Sequence, residues 1–278
     1  MLTKLMRYDF RAVLTFWWIP AVILLGLSPL TGLFLYLSDH MEMTSVMYVT
    51  VSFIMGLLVF VYVITFAVTI FLFLFACFRR LYTHFYTDEG YLTFTLPVPR
   101  RTLLLSKTLV TFIMTAATGL VCCVSIMLLF VSGGAGADFF GGIGRFFKGI
   151  FETYGGVGAL YIAEVAVLAV LLLCFYLLLI QFSITLGAIL AKKLKLLAAF
   201  GLYYAISNAL GFLLVLFVQF LSAFTAAAAF RFAGQMSMGR LYGIIGLILF
   251  MGMLFLALLD TMLYLLTLSS IERRLNLA

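Results

Sequence analysis

The sequence predicts an all-α integral membrane protein with six transmembrane helices, and three observations support this fold class. Hydrophobic residues make up 66% of the chain and charged residues only 10%, whereas about a quarter of the residues in a soluble domain are charged. Six uncharged runs approach or exceed the roughly 20 helical residues that cross a bilayer. The period-two alternation that a membrane barrel requires is absent from the sequence. The spans are therefore helical, because lipid offers backbone groups no other hydrogen-bond partner.

We expect a single transmembrane domain over the whole chain, 1–278. Its predicted spans have the approximate limits 13–37, 45–78, 103–132, 158–190, 197–222 and 241–269.

Basic residues predict the topology, because lysine and arginine stay on the cytoplasmic side of a membrane. Thirteen of the 17 basic residues lie at the two termini or around the loops after the second and fourth spans. Both termini and these two loops are therefore predicted to be cytoplasmic, which agrees with an even number of spans. The net charge of +7 reflects topology, and no nucleic-acid partner is expected.

The N-terminal segment, residues 1–12, is predicted to form an amphipathic helix along the inner membrane surface. Apolar side chains share one helical face and basic side chains lie away from it: Leu2, Leu5, Met6 and Phe10 against Lys4, Arg7 and Arg11. The apolar run that follows is too long for a secretory signal, and no small-residue cleavage pattern follows it. We expect the first span to be retained.

Three further segments differ from simple spans. The uncharged run Met43–Phe78 would rise about 54 Å as a helix, so the second span tilts or continues as a stalk into the cytosol. After the glycine-rich stretch Gly133–Gly142, phenylalanines at helical spacing predict an amphipathic helix on the outer surface; the alternative is a poorly ordered glycine loop. The second outer segment, Ala223–Arg240, is compatible with a re-entrant hairpin.

The sequence contains no pattern for catalysis or for nucleotide binding. No phosphate-binding loop is present, and the four cysteines lie within apolar runs. His40 and His84 are solitary and on opposite predicted sides of the membrane, so no metal pair is expected. We therefore predict no catalytic residue, no metal and no cofactor in this chain, and expect any energy source to lie in a partner.

Two acidic residues lie within or beside spans. Glu164 is about two turns into the fourth span, and Asp260 lies toward the inner end of the sixth. A charge at the centre of a membrane costs at least about 2.5–3.5 kcal/mol, so both residues are candidates for a substrate or ion pathway. The alternative is that each carboxylate is solvated at a membrane surface.

The segment between the second and third spans, Phe85–Lys107, is the most structured predicted cytosolic piece. Tyr82–Tyr91 predicts a short helix with aromatic side chains around Asp88 and Glu89. Prolines then exclude helix from the following turn. An aromatic and acidic surface favours a protein groove over anionic lipid, which would repel the carboxylates.

At these residues the chain resembles the permease subunits of ABC transporters of the type-two exporter class, the bacterial multidrug, antibiotic and peptide exporters. The resemblance rests on six spans with both ends inside, the amphipathic entry helix and the run T-D-E-G-Y-L-T-F-T-L-P-V-P-R-R…S-K. It implies that the segment is a coupling helix that docks into a separate ATPase subunit. The implied docking residues are Tyr86, Thr87, Asp88, Glu89, Gly90 and Tyr91. The turn that leads into the third span is matched by Leu96, Pro97, Val98, Pro99 and Arg100.

The resemblance implies a non-enzymatic permease subunit in the bacterial cytoplasmic membrane. It would form the translocation pathway with a second copy or a paralogue, while its ATPase partner binds ATP and Mg²⁺. Two other function classes are compatible with the sequence. One is an ion- or proton-coupled secondary transporter that uses Glu164 or Asp260, and the other is a membrane scaffold or sensor that transports nothing.

Overall fold

A computed structural model describes residues 2–40, 45–87, 90, 98–191, 194–232 and 238–274. Within these ranges the regular elements are seven α-helices: α1 Leu2–His40, α2 Ser45–Tyr86, α3 Arg100–Ser132, α4 Gly136–Tyr154, α5 Val157–Leu190, α6 Lys195–Phe232 and α7 Met238–Arg274. All except α4 are long and apolar enough to cross a membrane. The prediction of an all-α multi-pass membrane protein is confirmed.

The described helices group into two compact units, and the single transmembrane domain over 1–278 stays a prediction. The first unit comprises residues 1–81 and 105–148, and the second comprises residues 82–104 and 149–278. The boundary crosses α2, α3 and α4, so the last turn of α2 and the first turn of α3 belong to the second unit. The segment between α2 and α3 therefore begins and ends in that unit.

The N-terminal amphipathic helix predicted over residues 1–12 is not a separate element. Helix α1 is continuous from Leu2 to His40, and Met6 and Phe10 pack against a core that contains Phe73 and Met114. Amphipathicity was predicted correctly, but the apolar face contacts α2 and α3 rather than lying along lipid. A helical face buried by two neighbouring helices continues straight into the span, because no change of direction is needed to cover it.

A buried ion-pair network joins α1, α2 and α3 in the first unit. Asp9 Oδ1 accepts hydrogen bonds from Arg80 Nε at 2.9 Å and from Lys107 Nζ at 3.3 Å. Arg80 Nη2 also donates to the Tyr8 carbonyl at 3.3 Å. Asp9 and Lys107 are both buried. A carboxylate removed from water requires such partners, because an isolated buried charge costs several kcal/mol.

Hydroxyl groups join the same three helices farther along their length. Ser28 and Ser125 hydroxyls lie 2.6 Å apart, and the Tyr62 hydroxyl lies 2.9 Å from Ser125 Oγ. The Trp17 indole donates to Thr118 Oγ1 at 2.8 Å. Hydrogen bonds between membrane helices stabilise association by about 0.6 kcal/mol each, so they supplement the packing contacts without replacing them.

The second unit is built around α5, which packs against both α6 and α7. Its core contains Phe175, Leu178, Leu179 and Leu263. At one end α5 and α6 approach closely, since a Cβ on Gly187 would lie 2.6 Å from the Cα of Ala199. A larger residue at Gly187 would push the two backbones apart.

Helices α5 and α7 run parallel along their contact. A Cβ on Gly246 would lie 3.6 Å from Tyr161 and 3.8 Å from Glu164, and a Cβ on Gly252 would lie 3.7 Å from Leu168. Residue numbers therefore increase together along both helices, as two spans that enter the membrane from the same side require. We call this contact the α5–α7 seam.

The two predicted outer segments contain more helix than expected. The amphipathic helix after the glycine-rich stretch is present as α4, without buried residues, and the glycine-loop alternative is wrong. In the second outer segment, residues 223–232 continue α6 and residues 238–240 begin α7, so its described part contains no hairpin turn. Residues 233–237 of that segment lie outside the described residues.

Substituting Asp9→Asn removes the anion while Lys107 stays buried and Arg80 partly buried beside it. We expect the free energy of unfolding in detergent or bicelles to fall by about 3–5 kcal/mol, the usual cost of breaking a buried ion pair. Asp39→Asn is the matched control, because Asp39 lies on the same helix and is exposed; its effect should stay below about 1 kcal/mol. Equal effects of the two substitutions would contradict the assignment of Asp9 to a stabilising network.

Candidate functional site

The segment between α2 and α3 contains the predicted docking residues. Tyr86 is the last residue of α2, so Tyr82–Tyr86 continue the second helix instead of beginning a separate one. Thr87 and Gly90 follow it in the described chain. The other three predicted docking residues, Asp88, Glu89 and Tyr91, lie outside the described residues, as do Leu96 and Pro97.

The beginning of the segment is held by a buried aromatic pair. The Phe85 side chain is 1% exposed and the Tyr86 side chain is 7% exposed. The Tyr86 hydroxyl lies 2.7 Å from Thr185 Oγ1 on α5. Thr185 uses its own proton to bond the Gln181 carbonyl at 2.8 Å, so Tyr86 is the donor and Thr185 the acceptor. This contact fixes the end of α2 to α5.

Gly90 folds back onto the end of α2. Its N–H donates to the Thr87 carbonyl at 2.8 Å, and the residue is buried. A Cβ on Gly90 would lie 2.9 Å from the Phe85 carbonyl oxygen, closer than such contacts allow. Glycine at this position therefore permits a tight turn directly beneath the buried aromatic pair.

The end of the segment is held by the first turn of α3. Arg100 Nη1 donates to the carbonyls of Glu272 at 3.0 Å and Ile271 at 3.4 Å, which lie in the last turn of α7. The final carbonyls of a helix lack intrahelical donors, and a cation there also opposes the negative end of the helix dipole. Leu103 and Leu104, one turn later, are buried.

These contacts give the segment two attachment points in the same unit. It leaves from a bond to α5 and returns through a bond to α7, and both helices belong to the second unit. We refer to Phe85, Tyr86, Thr185 and Arg100 as the loop anchors. A force applied to the segment would reach α5 and α7 directly, because buried or hydrogen-bonded groups connect it to both.

The two predicted membrane acids lie on the α5–α7 seam but not together. Glu164 is half-buried beside Gly246, and its Oε2 atom is buried without a hydrogen-bond partner in the described part of the chain. Asp260 is 9% exposed, and neither carboxyl oxygen has a partner among the described residues. About four turns of α7 separate Gly246 from Asp260, roughly 21 Å along the helix. One ligand cannot bind both carboxyl groups.

Sequence reasoning missed two residues that organise these contacts. Asp9 was overlooked although it lies three and four positions after Met6 and Leu5, on the apolar face of α1. Thr185 was also overlooked, although Gln181, Ser183 and Thr185 interrupt an otherwise apolar span and all three are buried. A polar residue on the buried face of a membrane helix indicates a partner on another helix, and this signal could have identified both.

No protein-family model, curated protein or solved structure matches the chain. Function is therefore inferred from the loop anchors and from the buried carboxyl groups. The anchored segment can transmit movement.

Replacing Arg100 by alanine removes the donor to the last carbonyls of α7. We expect amide hydrogen exchange to accelerate in residues 268–274, with local opening easier by about 0.5–1 kcal/mol, because the helix end loses its cationic cap. Arg101→Ala is the matched control: Arg101 is its neighbour and lies 3.8 Å from the Glu272 carboxylate in an exposed pair, which contributes little. Equal acceleration in both variants would show that Arg100 does not stabilise the C-terminal end of α7.

Proposed function

We propose that this chain is the membrane-spanning permease subunit of an ATP-driven exporter of the ABC class, located in the bacterial cytoplasmic membrane. In this proposal a separate ATPase subunit binds ATP and Mg²⁺, and two permeases, identical or paralogous, form the pathway for substrate. One observation carries the proposal. The segment that resembles a coupling helix is attached at both ends to one body of the chain, through Tyr86–Thr185 at 2.7 Å and Arg100–Glu272 at 3.0 Å.

The attachment explains how a small segment could drive a large movement. A loop with free ends would absorb a displacement of its tip by changing its own backbone. Here the Phe85 and Tyr86 side chains are buried in the second unit, and Arg100 bonds the end of α7. Closure of the ATPase subunits would therefore displace α5 and α7 together with the segment, and this displacement would open the pathway on alternate sides.

The proposed docking residues divide into two roles. Asp88 and Glu89 carry the charge that a basic groove on the ATPase subunit would recognise, with Thr87 and Tyr91 beside them. Tyr86 and Gly90 are buried within this chain, so in this proposal they position the docking surface. The proposal thus assigns recognition of the ATPase to Asp88 and Glu89, and positioning of these two residues to Tyr86 and Gly90.

The proposed topology places both termini and the docking segment in the cytoplasm. Lys4, Arg7, Arg11 and Arg79 are all exposed in the first unit, where they are free to contact lipid headgroups or water. Exposed basic side chains at one end of a helix pair are typical of the cytoplasmic surface. The ATPase subunit would approach from this side.

A proton-coupled secondary transporter is the second candidate, and one observation favours it. Asp260 is buried on the α5–α7 seam without a partner among the described residues, as a carboxyl group that binds and releases protons would be. This candidate requires transport by the chain alone, driven by a proton gradient. The two proposals therefore differ in whether purified chain in vesicles moves substrate without an ATPase.

We expect the native complex, purified through this chain, to contain a subunit that hydrolyses ATP. The double charge reversal Asp88→Lys/Glu89→Lys should abolish co-purification of ATPase activity, because lysines would repel a basic groove. Asp39→Lys/Glu42→Lys is the matched control, since it makes the same charge change at the end of α1 and in the residues after it, which are predicted to be outside. Retention of ATPase activity by the Asp88/Glu89 variant, or an ATPase-free complex that transports, would contradict the proposal.

A further inference from the structure

Asp260 differs from the other buried aspartate of this chain. Asp9 is 7% exposed and has two cationic partners, whereas Asp260 is 9% exposed and has no hydrogen-bond partner in the described chain. Its neighbours along the buried face of α7 are apolar or hydroxylic, including Leu256, Leu263 and Thr267. An ionised carboxylate in such surroundings would cost several kcal/mol without compensation. Burial without a partner therefore favours the neutral carboxylic acid while these helices are packed.

The position of Asp260 along α7 corresponds to the interior of a bilayer. The contact between Arg100 and the Ile271 carbonyl marks the polar end of the helix, because a guanidinium group stays at the level of lipid headgroups. Asp260 lies about three turns deeper, roughly 16 Å along the axis. Half of the hydrocarbon core is about 15 Å thick. On this measure Asp260 lies near the middle of the hydrocarbon core.

The described residues place few ionisable groups around Asp260. Cys174 on α5 lies within electrostatic range of the carboxyl group. Tyr264 lies one turn away on α7, and Tyr203 on α6 packs against the same core cluster as Tyr264. Within the described residues no lysine, arginine or histidine forms an ion pair with Asp260. Neither oxygen is accessible to solvent, so a bulky organic cation cannot reach the group while the seam is closed.

We propose that Asp260 is a proton-binding site that links protonation to packing of the α5–α7 seam. With the seam closed the side chain holds its proton as a neutral carboxylic acid. Separation of α5 and α7 admits water, the O–H bond breaks, and the proton leaves as hydronium while the carboxylate becomes hydrated. Reclosure requires the carboxylate to take a proton back. Opening of the α5–α7 seam is therefore favoured by alkaline pH and opposed by acidic pH. This holds whether or not an ATPase subunit drives the movement.

The proton itself can be observed by infrared spectroscopy of the full chain in lipid nanodiscs at neutral pH. We expect the wild-type protein to show the carbonyl band of a protonated carboxyl group that lacks hydrogen bonds. This band should be lost in Asp260→Asn, shifted in Asp260→Glu and unchanged in Asp9→Asn. A wild-type spectrum in which Asp260 contributes carboxylate bands instead would overturn the proposal.

Asp260→Leu provides a second check, because removal of a neutral buried group should preserve folding, whereas loss of a paired carboxylate would destabilise the protein as Asp9→Asn does.

The link to the seam is tested by alkylation of Cys174 in a variant whose other three cysteines are replaced. Raising the pH should increase the alkylation rate more in the Asp260 protein than in its Asp260→Asn counterpart. A carboxylate beside Cys174 disfavours the thiolate, so this electrostatic effect opposes the expected result and any excess reports opening of the seam. Equal pH dependence in the two proteins would overturn the link.

Charge reversal at Asp88 and Glu89 should leave the infrared band intact, and Asp260→Asn should leave ATPase capture intact. Failure of either proposal can therefore be recognised separately.

Discussion

Apolar surroundings leave a polar side chain only two stable outcomes, a partner on another helix or a neutral state. The described helices contain both outcomes. Asp9 has Arg80 and Lys107 as cationic partners, and this network holds three helices of the first unit together. Tyr86 and Thr185 satisfy one another across helices α2 and α5. Asp260 has no such partner among the described residues, and we propose that a proton neutralises it. Lipid imposes the same rule on the backbone, which is why every span is a helix.

The same requirement determines where movement can enter the second unit. The Tyr86 hydroxyl and the Arg100 guanidinium both find acceptors on helices α5 and α7, so the segment between α2 and α3 is attached to the helices that form the seam. In the proposed exporter this attachment converts ATPase closure into displacement of α5 and α7. The protonation of Asp260 would then set how easily the two helices separate. Displacement by the ATPase and protonation of Asp260 would therefore act on the same two helices, α5 and α7.

Composition was sufficient to predict the fold class, because runs of about 20 apolar residues have few alternatives to membrane helices. Helix ends were harder to predict. The second span was predicted to end at 78 and a new helix to begin at Tyr82, yet α2 continues to Tyr86. Arg80 lies inside this helix as the partner of Asp9. The amphipathic face of α1 was recognised, but sequence alone does not distinguish a face covered by helices from one covered by lipid. Thr185 lies 99 positions from Tyr86, a contact that only the folded chain reveals. The residues that recognise a partner were inferred from the resemblance alone, and their role stays a prediction.

The attachment of the segment to α5 is tested most directly by a double-mutant cycle on Tyr86→Phe and Thr185→Val, with the free energy of unfolding as the readout. Each substitution removes one hydroxyl and keeps the side-chain volume nearly unchanged. If the two hydroxyls bond as described, the paired substitution should cost less than the sum of the single ones, with a coupling of about 0.5–1.5 kcal/mol. Additivity within about 0.3 kcal/mol would mean that Tyr86 and Thr185 act independently, and the segment would then lack its connection to α5.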